Sequence, residues 1–402
     1  MQRGAAVSWD AFLSTYLPAL ILALGTGIAL PAIPTLARSF NVSFGVASGV
    51  VTMFLLGNFL GTLPSGWLID RFGRRPVMIA GPLLSAAMGF LVAGSHSFPE
   101  LLVLRFLNGF GAQMWLMSRL AAISHNAEAG QRGRLVSWMF GMDSTGKLAG
   151  PVVGGFIASD LGARAPFLVY AVLALVAIVP TVLFAKDTPR RDEVAAGAKA
   201  AGAPRKLSLR EIVMPRLPYF GVALFAGLTR GPVQADLLHL YAAFAYHLGP
   251  RQIGFLATSA VCISMPIALT AGWMMDRFGR KRTMVPGFTG VAVAMLALAA
   301  SAFLHLSLAW YVALFLIGIA VQALTGGSVQ TVGTDVAPPE ARGTFLGLWR
   351  FAGQGGTMLG PIVFAVLADE LNYGSSFLFI AGSAAVVAFL IVRYIPETRT
   401  AS

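Results

Sequence analysis

Twelve stretches of this chain are long and apolar enough to cross a bilayer, and that pattern fixes the fold class before any motif is considered. They fall near 11–33, 45–68, 76–95, 100–123, 135–158, 164–185, 217–243, 253–275, 283–303, 307–333, 342–367 and 374–394. Each matches the roughly 20 residues a helix needs to cross the hydrocarbon core. In lipid every backbone N–H and C=O must be paired within the protein. Continuous apolar runs, as opposed to alternating ones, meet that demand as helices. The sequence therefore predicts an all-α membrane protein of twelve transmembrane helices, whose even count puts both termini on one side. Only 11% of residues are charged, against about a quarter in a soluble domain, which excludes an ordinary soluble enzyme. The first run is longer than a signal-peptide core and no small-residue cleavage site follows it, so it reads as the first span. The single cysteine, Cys262, excludes a disulfide framework.

Cations sort by side. Of the 29 Lys and Arg, 21 fall on one side of the predicted spans, in clusters such as Arg71, Arg74 and Arg75, Arg132 and Arg134, Lys186 to Arg216, and Arg277 to Arg282. Arg38, Arg164 and Arg251 fall on the other, and five lie within spans. The positive-inside bias predicts cytoplasmic termini and an integral protein of the cytoplasmic (plasma) membrane. The net charge of +12 is then a topology signal, and no nucleic-acid partner is expected. Residues 186–216, rich in Ala, Gly and charge, read as a cytoplasmic linker between bundles at 1–185 and 217–402.

The chain repeats itself. Gly66-Trp-Leu-Ile-Asp70-Arg71-Phe-Gly73-Arg74-Arg75 recurs 206 positions later as Gly272-Trp-Met-Met-Asp276-Arg277-Phe-Gly279-Arg280-Lys281. Phe106 to Gly109 matches Phe315 to Gly318, Arg132-Gly133 matches Arg342-Gly343, and Gly150-Pro151 matches Gly360-Pro361. Each half thus holds six spans, and a duplicated membrane unit with binding at the interface of its copies is a transporter architecture. These residues resemble the major facilitator superfamily over essentially the whole chain. The doubled loop resembles its signature motif, and Arg105-x-x-x-Gly109 a second one. Gly146-x-x-x-Gly150-Pro151-x-x-Gly154-Gly155 is similar to the fifth-span motif of twelve-span drug:proton antiporters. The resemblance implies two pseudo-symmetric six-helix bundles around one midplane cavity, working by alternating access. Gating roles follow for Gly66, Asp70, Arg71, Gly73, Arg74, Asp276, Arg277, Gly150 and Pro151. The glycines of span 5 share one face, where they serve either as a packing hinge or as plain close packing. One near-match is dismissed: Gly141 to Leu148 approaches a phosphate-binding loop, but Leu148 stands where Ser or Thr is required and no soluble strand precedes it.

Charges inside the spans carry the functional argument, because an ionisable group in lipid is costly unless it faces water or a partner. Arg105, Asp143, Lys147, Arg230, Asp236 and Arg350 are the candidates for substrate binding or coupling, and Arg119 either joins them or snorkels from near a helix end. Asp143 and Lys147, four apart, are expected to pair, protonation of Asp143 releasing Lys147. His239 either shares a proton with Asp236 or faces water. Asn58, Gln113, Gln322 and Gln354 are polar cavity candidates, as are Asn108, Trp115 and Trp349. Arg105 answers to Leu314, and Arg350 to Phe140, so the repeat is broken at its charges. Span 1 lacks the carboxylate that many proton-coupled drug antiporters carry before Gly25-Thr-Gly27, which leaves Asp143 or Asp236 to carry protons. The expected function is proton-coupled export of a small amphipathic, possibly anionic, organic compound by a monomer among membrane lipids, without enzymatic activity. An organic-anion importer or exchanger of the same fold is the alternative. The five histidines lack ligand spacing, so neither metal nor cofactor is expected.

Overall fold

A computed structural model describes residues 9, 12–126, 132–185, 211, 213–338 and 341–395, so most of the 186–216 segment and both chain ends lie outside the described residues. A π-helical turn, Phe12–Tyr16, leads into α1 (Leu17–Ala29), followed by α2 (Ala32–Arg38), α3 (Phe44–Phe72), α4 (Arg74–Gly94), α5 (Phe98–Asn126), α6 (Arg132–Leu161) and α7 (Ala165–Phe184). The second half contains α8 (Leu217–Gln234), α9 (Leu237–Ala245), α10 (Pro250–Phe278), α11 (Arg280–Phe303), α12 (Leu308–Ala323), α13 (Ser328–Asp335), α14 (Arg342–Glu370) and α15 (Tyr373–Tyr394). No strand occurs among the described residues.

Nine stretches of helix among the described residues have the length and apolarity to cross a membrane. The predicted spans outside that set are 100–123, 135–158 and 217–243, where Arg105, Arg119, Asp143, Lys147, Arg230 and Asp236 lie. The ionisable candidates therefore lie in the less apolar helices, apart from Arg350, which lies in the apolar stretch Thr344–Glu370.

Three spans predicted as continuous are broken. The first turns at Leu30-Pro31 between α1 and α2. The seventh breaks where Asp236 takes a left-handed backbone, φ 52° and ψ 22°, a conformation Asp tolerates better than most residues. The tenth breaks at Gly326-Gly327, with Gly327 at φ 75°.

Two compact units emerge. Unit 1 comprises residues 1–42, 53–201 and 248–258, and unit 2 comprises 43–52, 202–247 and 259–402. The small segments at 43–52 and 248–258 are repeat equivalents, each clustering with the other half of the sequence. Within unit 1, α1 packs on α6 and α7, and α4 on α5 and α7; within unit 2, α8 packs on α14 and α15, and α11 on α12 and α15. The second set is the first shifted by one repeat. Glycine makes the tightest of these contacts. A Cβ on Gly150 would stand 2.8 Å from the Leu24 carbonyl oxygen, and one on Gly360 would stand 2.7 Å from that of Leu228. The glycine face of span 5 is thus a packing surface that span 11 repeats.

Candidate transport site

In unit 1 a row of candidate side chains rides on α5. Arg105, Asn108, Trp115 and Arg119 recur at helical spacing and share one face. All four are buried. The Arg105 guanidinium lies 4.8 Å from the Phe54 ring centroid, and its Nη1 donates to Asn108 Oδ1 at 3.3 Å. Asn108 Nδ2 in turn donates to the Ser85 carbonyl at 3.3 Å and to Tyr170 Oη at 3.2 Å. One arginine thereby ties α5 to α3, α4 and α7. On another side of α5, Gln113 Nε2 donates to Thr62 Oγ1 at 3.0 Å, and that hydroxyl donates to the Asn58 carbonyl at 3.1 Å. Gln113 belongs to a helix-packing bridge between α5 and α3, whereas Asn58 contributes only its backbone carbonyl and its side chain is half-buried.

Arg119 does not snorkel. It is 3% exposed, stacks 4.9 Å from the Trp115 ring, and holds Asp143 through two parallel bonds, Nη1 to Oδ1 and Nη2 to Oδ2, each 3.3 Å. The expected Asp143–Lys147 pair is replaced by this one, and Lys147 is exposed one turn further along α6. A bidentate arginine outcompetes a lysine four residues along the same helix because its planar fork matches both carboxylate oxygens. Arg119 Nε and Trp115 Nε1 are buried without a hydrogen-bond partner among the described residues.

Unit 2 places its charges at the breaks. Arg230 Nη2 donates to the Thr325 carbonyl at 3.4 Å, in the turn that interrupts span 10. Gln322, in the last turn of α12, has a buried Oε1 without a hydrogen-bond partner among the described residues. Asp236 caps α9 by position. His239 is buried, not facing water, with Nδ1 3.4 Å from Asp236 Oδ1 and its ring 5.3 Å from that of Phe315. Arg350 and Gln354 are exposed on α14, one turn apart. Trp349 is a core residue, stacked near Phe220 and Phe345.

The repeated loop has the same geometry in both copies. Gly73 and Gly279 stand at φ 88° and 94° with extended ψ, a region essentially reserved for glycine. Each stops one helix and starts the next. Arg71 lies 5.3 Å from the Trp67 ring and 5.6 Å from the Phe72 ring; Arg277 lies 5.1 Å from Trp273 and 5.8 Å from Phe278. Arg75 Nη2 donates to the Val182 carbonyl at 2.8 Å, and Lys281 Nζ to those of Val392 at 2.7 Å and Ile395 at 3.1 Å. Both cations cap the C-terminal carbonyls of the last helix of their half, where the helix dipole is negative. Arg74 is half-buried, while its counterpart Arg280 pairs with Asp335. Gly66 and Asp70 are exposed. The side chain of Asp276 lies outside the described residues.

The family profile of the Major Facilitator Superfamily matches residues 16–235 and 237–402. The chain belongs to that superfamily. It is a membrane transporter and not an enzyme. The Tetracycline resistance protein, class B, of Escherichia coli is 26% identical over 363 residues, covering 87% of this chain and 86% of that one. Multidrug resistance protein 1 of Bacillus subtilis (strain 168) is 26% identical over 358 residues, covering 87% and 88%. Among solved structures, a D-xylose-proton symporter aligns with a TM-score of 0.78 at 20% identity, over 98% of this chain and 99% of that one. The peptide transporter POT in complex with sulfate gives 0.76 at 16% identity, over 97% and 95%. At such identities the structural likeness speaks to the superfamily fold alone.

Sequence reasoning placed Asp143 among the candidates and missed its partner. Nothing local links Arg119 to a carboxylate 24 residues away on another helix. The Arg105–Asn108 bond is different, since its i, i+3 spacing on a helix was a usable signal. Phe54 and Tyr170 carried none.

Proposed function

We propose that this superfamily member exports small amphipathic organic compounds bearing a negative group, driven by protons entering in exchange, with Asp143 as the proton acceptor. The observation that carries the reading is the Arg119–Asp143 pair, in which a buried guanidinium holds a half-buried carboxylate. A proton on Asp143 removes one charge of the pair and detaches α6 from the α5 guanidinium. The two states then differ in the energy that ties these helices together, and such a difference is what shifts a two-state equilibrium. In the proposed cycle the substrate is carried with the pair closed, and the return leg runs with the proton on Asp143. The exposed cation Lys147 meets the negative group of the substrate, while Arg105 and Arg230 hold helices together. Gly150, Pro151 and the paired loops allow and limit the rocking. Support for export comes from relatives named for tetracycline and multidrug resistance; support for an anionic substrate comes from the cation excess in the spans.

The same reading has twelve spans, bundles at 1–185 and 217–402 joined by a cytoplasmic linker at 186–216, cytoplasmic termini in a cytoplasmic membrane, and a monomer as the working unit. Inside-out vesicles with an imposed proton gradient test the transport claim, with tetracycline and a panel of anionic, neutral and cationic organic compounds added in turn. Proton efflux triggered by tetracycline or by the anions supports the reading. A response confined to cations overturns the charge assignment, and silence throughout overturns proton coupling. Reporter fusions after Ser402 test the orientation.

A further inference from the structure

Resting on the proton-coupled reading above, we propose that Asp236 and His239 bind one proton between them and form a second protonation site, in unit 2, at the break in span 7. His239 is 7% exposed and neither ring nitrogen has a hydrogen-bond partner among the described residues. A buried polar group in that state is unfavourable and calls for an explanation. Its Nδ1 lies 3.4 Å from Asp236 Oδ1, close enough for Coulomb attraction but not aligned as a hydrogen bond. The Asp236 side chain is 34% exposed against 9% for that of His239. The carboxylate therefore gives the pair its access to water, and the imidazole gives it a dry acceptor.

The proton balance is simple. Neutral imidazole gains H⁺ at a ring nitrogen, the resulting N–H turns onto the Asp236 carboxylate, and the pair passes from a net charge of −1 to zero. No bond other than the N–H forms, and nothing is oxidised or reduced. The backbone sets the geometry: the left-handed Asp236 lets α9 start at Leu237, which puts residue 239 within one turn of the carboxylate. Charged and titratable neighbours do not compete for it. Arg230 on α8 is turned to the Thr325 carbonyl, and Asp369 on α14 accepts from Ser43 and Gly45. Tyr311 on α12 donates to the Leu238 carbonyl, while Tyr241 of α9 packs its ring against Tyr246, Tyr311 and Tyr373. Among the described residues no other carboxylate lies within ion-pairing distance of His239.

The test is ¹⁵N-histidine NMR of the full chain in lipid nanodiscs, with the His239 signal identified by its loss in His239→Gln. If that variant does not fold, substituting His96, His125, His247 and His305 in turn assigns the signal by elimination. The expected result is a change of the His239 signal from neutral to protonated imidazole as pH falls. In Asp236→Asn, which keeps the left-handed backbone accessible, the midpoint of that change should differ from the native one because the carboxylate charge is lost. An imidazole signal that stays constant as pH falls, or an identical midpoint in Asp236→Asn, overturns the proposal. Asp143→Asn leaves this titration in place. Failure of the Asp143 reading and failure of this one are therefore separate outcomes.

Discussion

In unit 1 the buried arginines are held by side chains on unbroken helices, Arg105 by Asn108 and Arg119 by Asp143. In unit 2 Arg230 reaches instead for a backbone carbonyl in a helix interruption, and the one aspartate of span 7 is itself the residue at which the helix breaks. Around these differences the scaffold is the same twice over: the glycine turns at Gly73 and Gly279, the Trp–Arg–Phe stacks, the caps from Arg75 and Lys281, and the glycine contacts at Gly150 and Gly360. Duplication therefore preserved the turns, stacks, caps and glycine contacts of the repeat, and the halves diverged where charge enters the helices. A side-chain pair opens on protonation, whereas a backbone interruption lets a helix bend. On the proposed reading, the first lets a proton on Asp143 loosen a helix contact in unit 1, and the second lets span 7 of unit 2 bend where Asp236 and His239 meet.

Breaking the charge arrangement of unit 1 should have the largest effect. Arg119→Met leaves the half-buried Asp143 carboxylate without its cation and is expected to destabilise by about 3 kcal/mol. Arg105→Met removes a bond to the neutral amide of Asn108 and should cost about 1–3 kcal/mol. Thermal melting of the two variants in the same detergent gives the order, and equal shifts would remove the distinction drawn for Arg119. Next comes the shared packing. Leu at Gly150 or at Gly360 forces α1 from α6, or α8 from α14, and each should cost about 3 kcal/mol; yields of monodisperse protein should fall alike, and tolerance in one half alone would show that the two contacts are not equivalent. Gly73→Ala and Gly279→Ala should each cost about 1–2 kcal/mol from the backbone conformation alone, and the double variant should be additive within about 0.5 kcal/mol because the sites lie in separate units. Smallest are Arg75→Ala and Lys281→Ala, about 0.3–1 kcal/mol each as cations at helix C-termini. A loss unchanged by high salt would count against the helix-end explanation.

Hydropathy read the helices well because lipid imposes one rule on every span. It read their continuity poorly. The breaks at Pro31, Asp236 and Gly327 occur inside apolar runs, where average apolarity carries no information on φ and ψ. Gly326-Gly327 was a visible punctuation mark, and Pro31 another. Asp236 was not, since an aspartate in a span reads first as a charge. The candidate site was legible as a set of residues and illegible as a set of pairs. Local spacing suggested Asp143 with Lys147, yet the tertiary fold delivered Arg119, because helix neighbours in space are not neighbours in sequence. The same limit hid the burial of His239, whose position near a helix end is compatible with water or with the core until Phe315 is known to cover it.

The central claim is that Asp143 takes the coupling proton and that Arg119 registers it. The most direct measurement is substrate-driven proton movement in proteoliposomes containing native protein or Asp143→Asn, inserted to equal extents and oriented alike, with the most active compound from the vesicle panel. The account predicts that Asp143→Asn still binds the compound but moves at least about tenfold fewer protons, a loss of roughly 1.4 kcal/mol or more in the coupling step. Full substrate-driven proton movement in Asp143→Asn would contradict it.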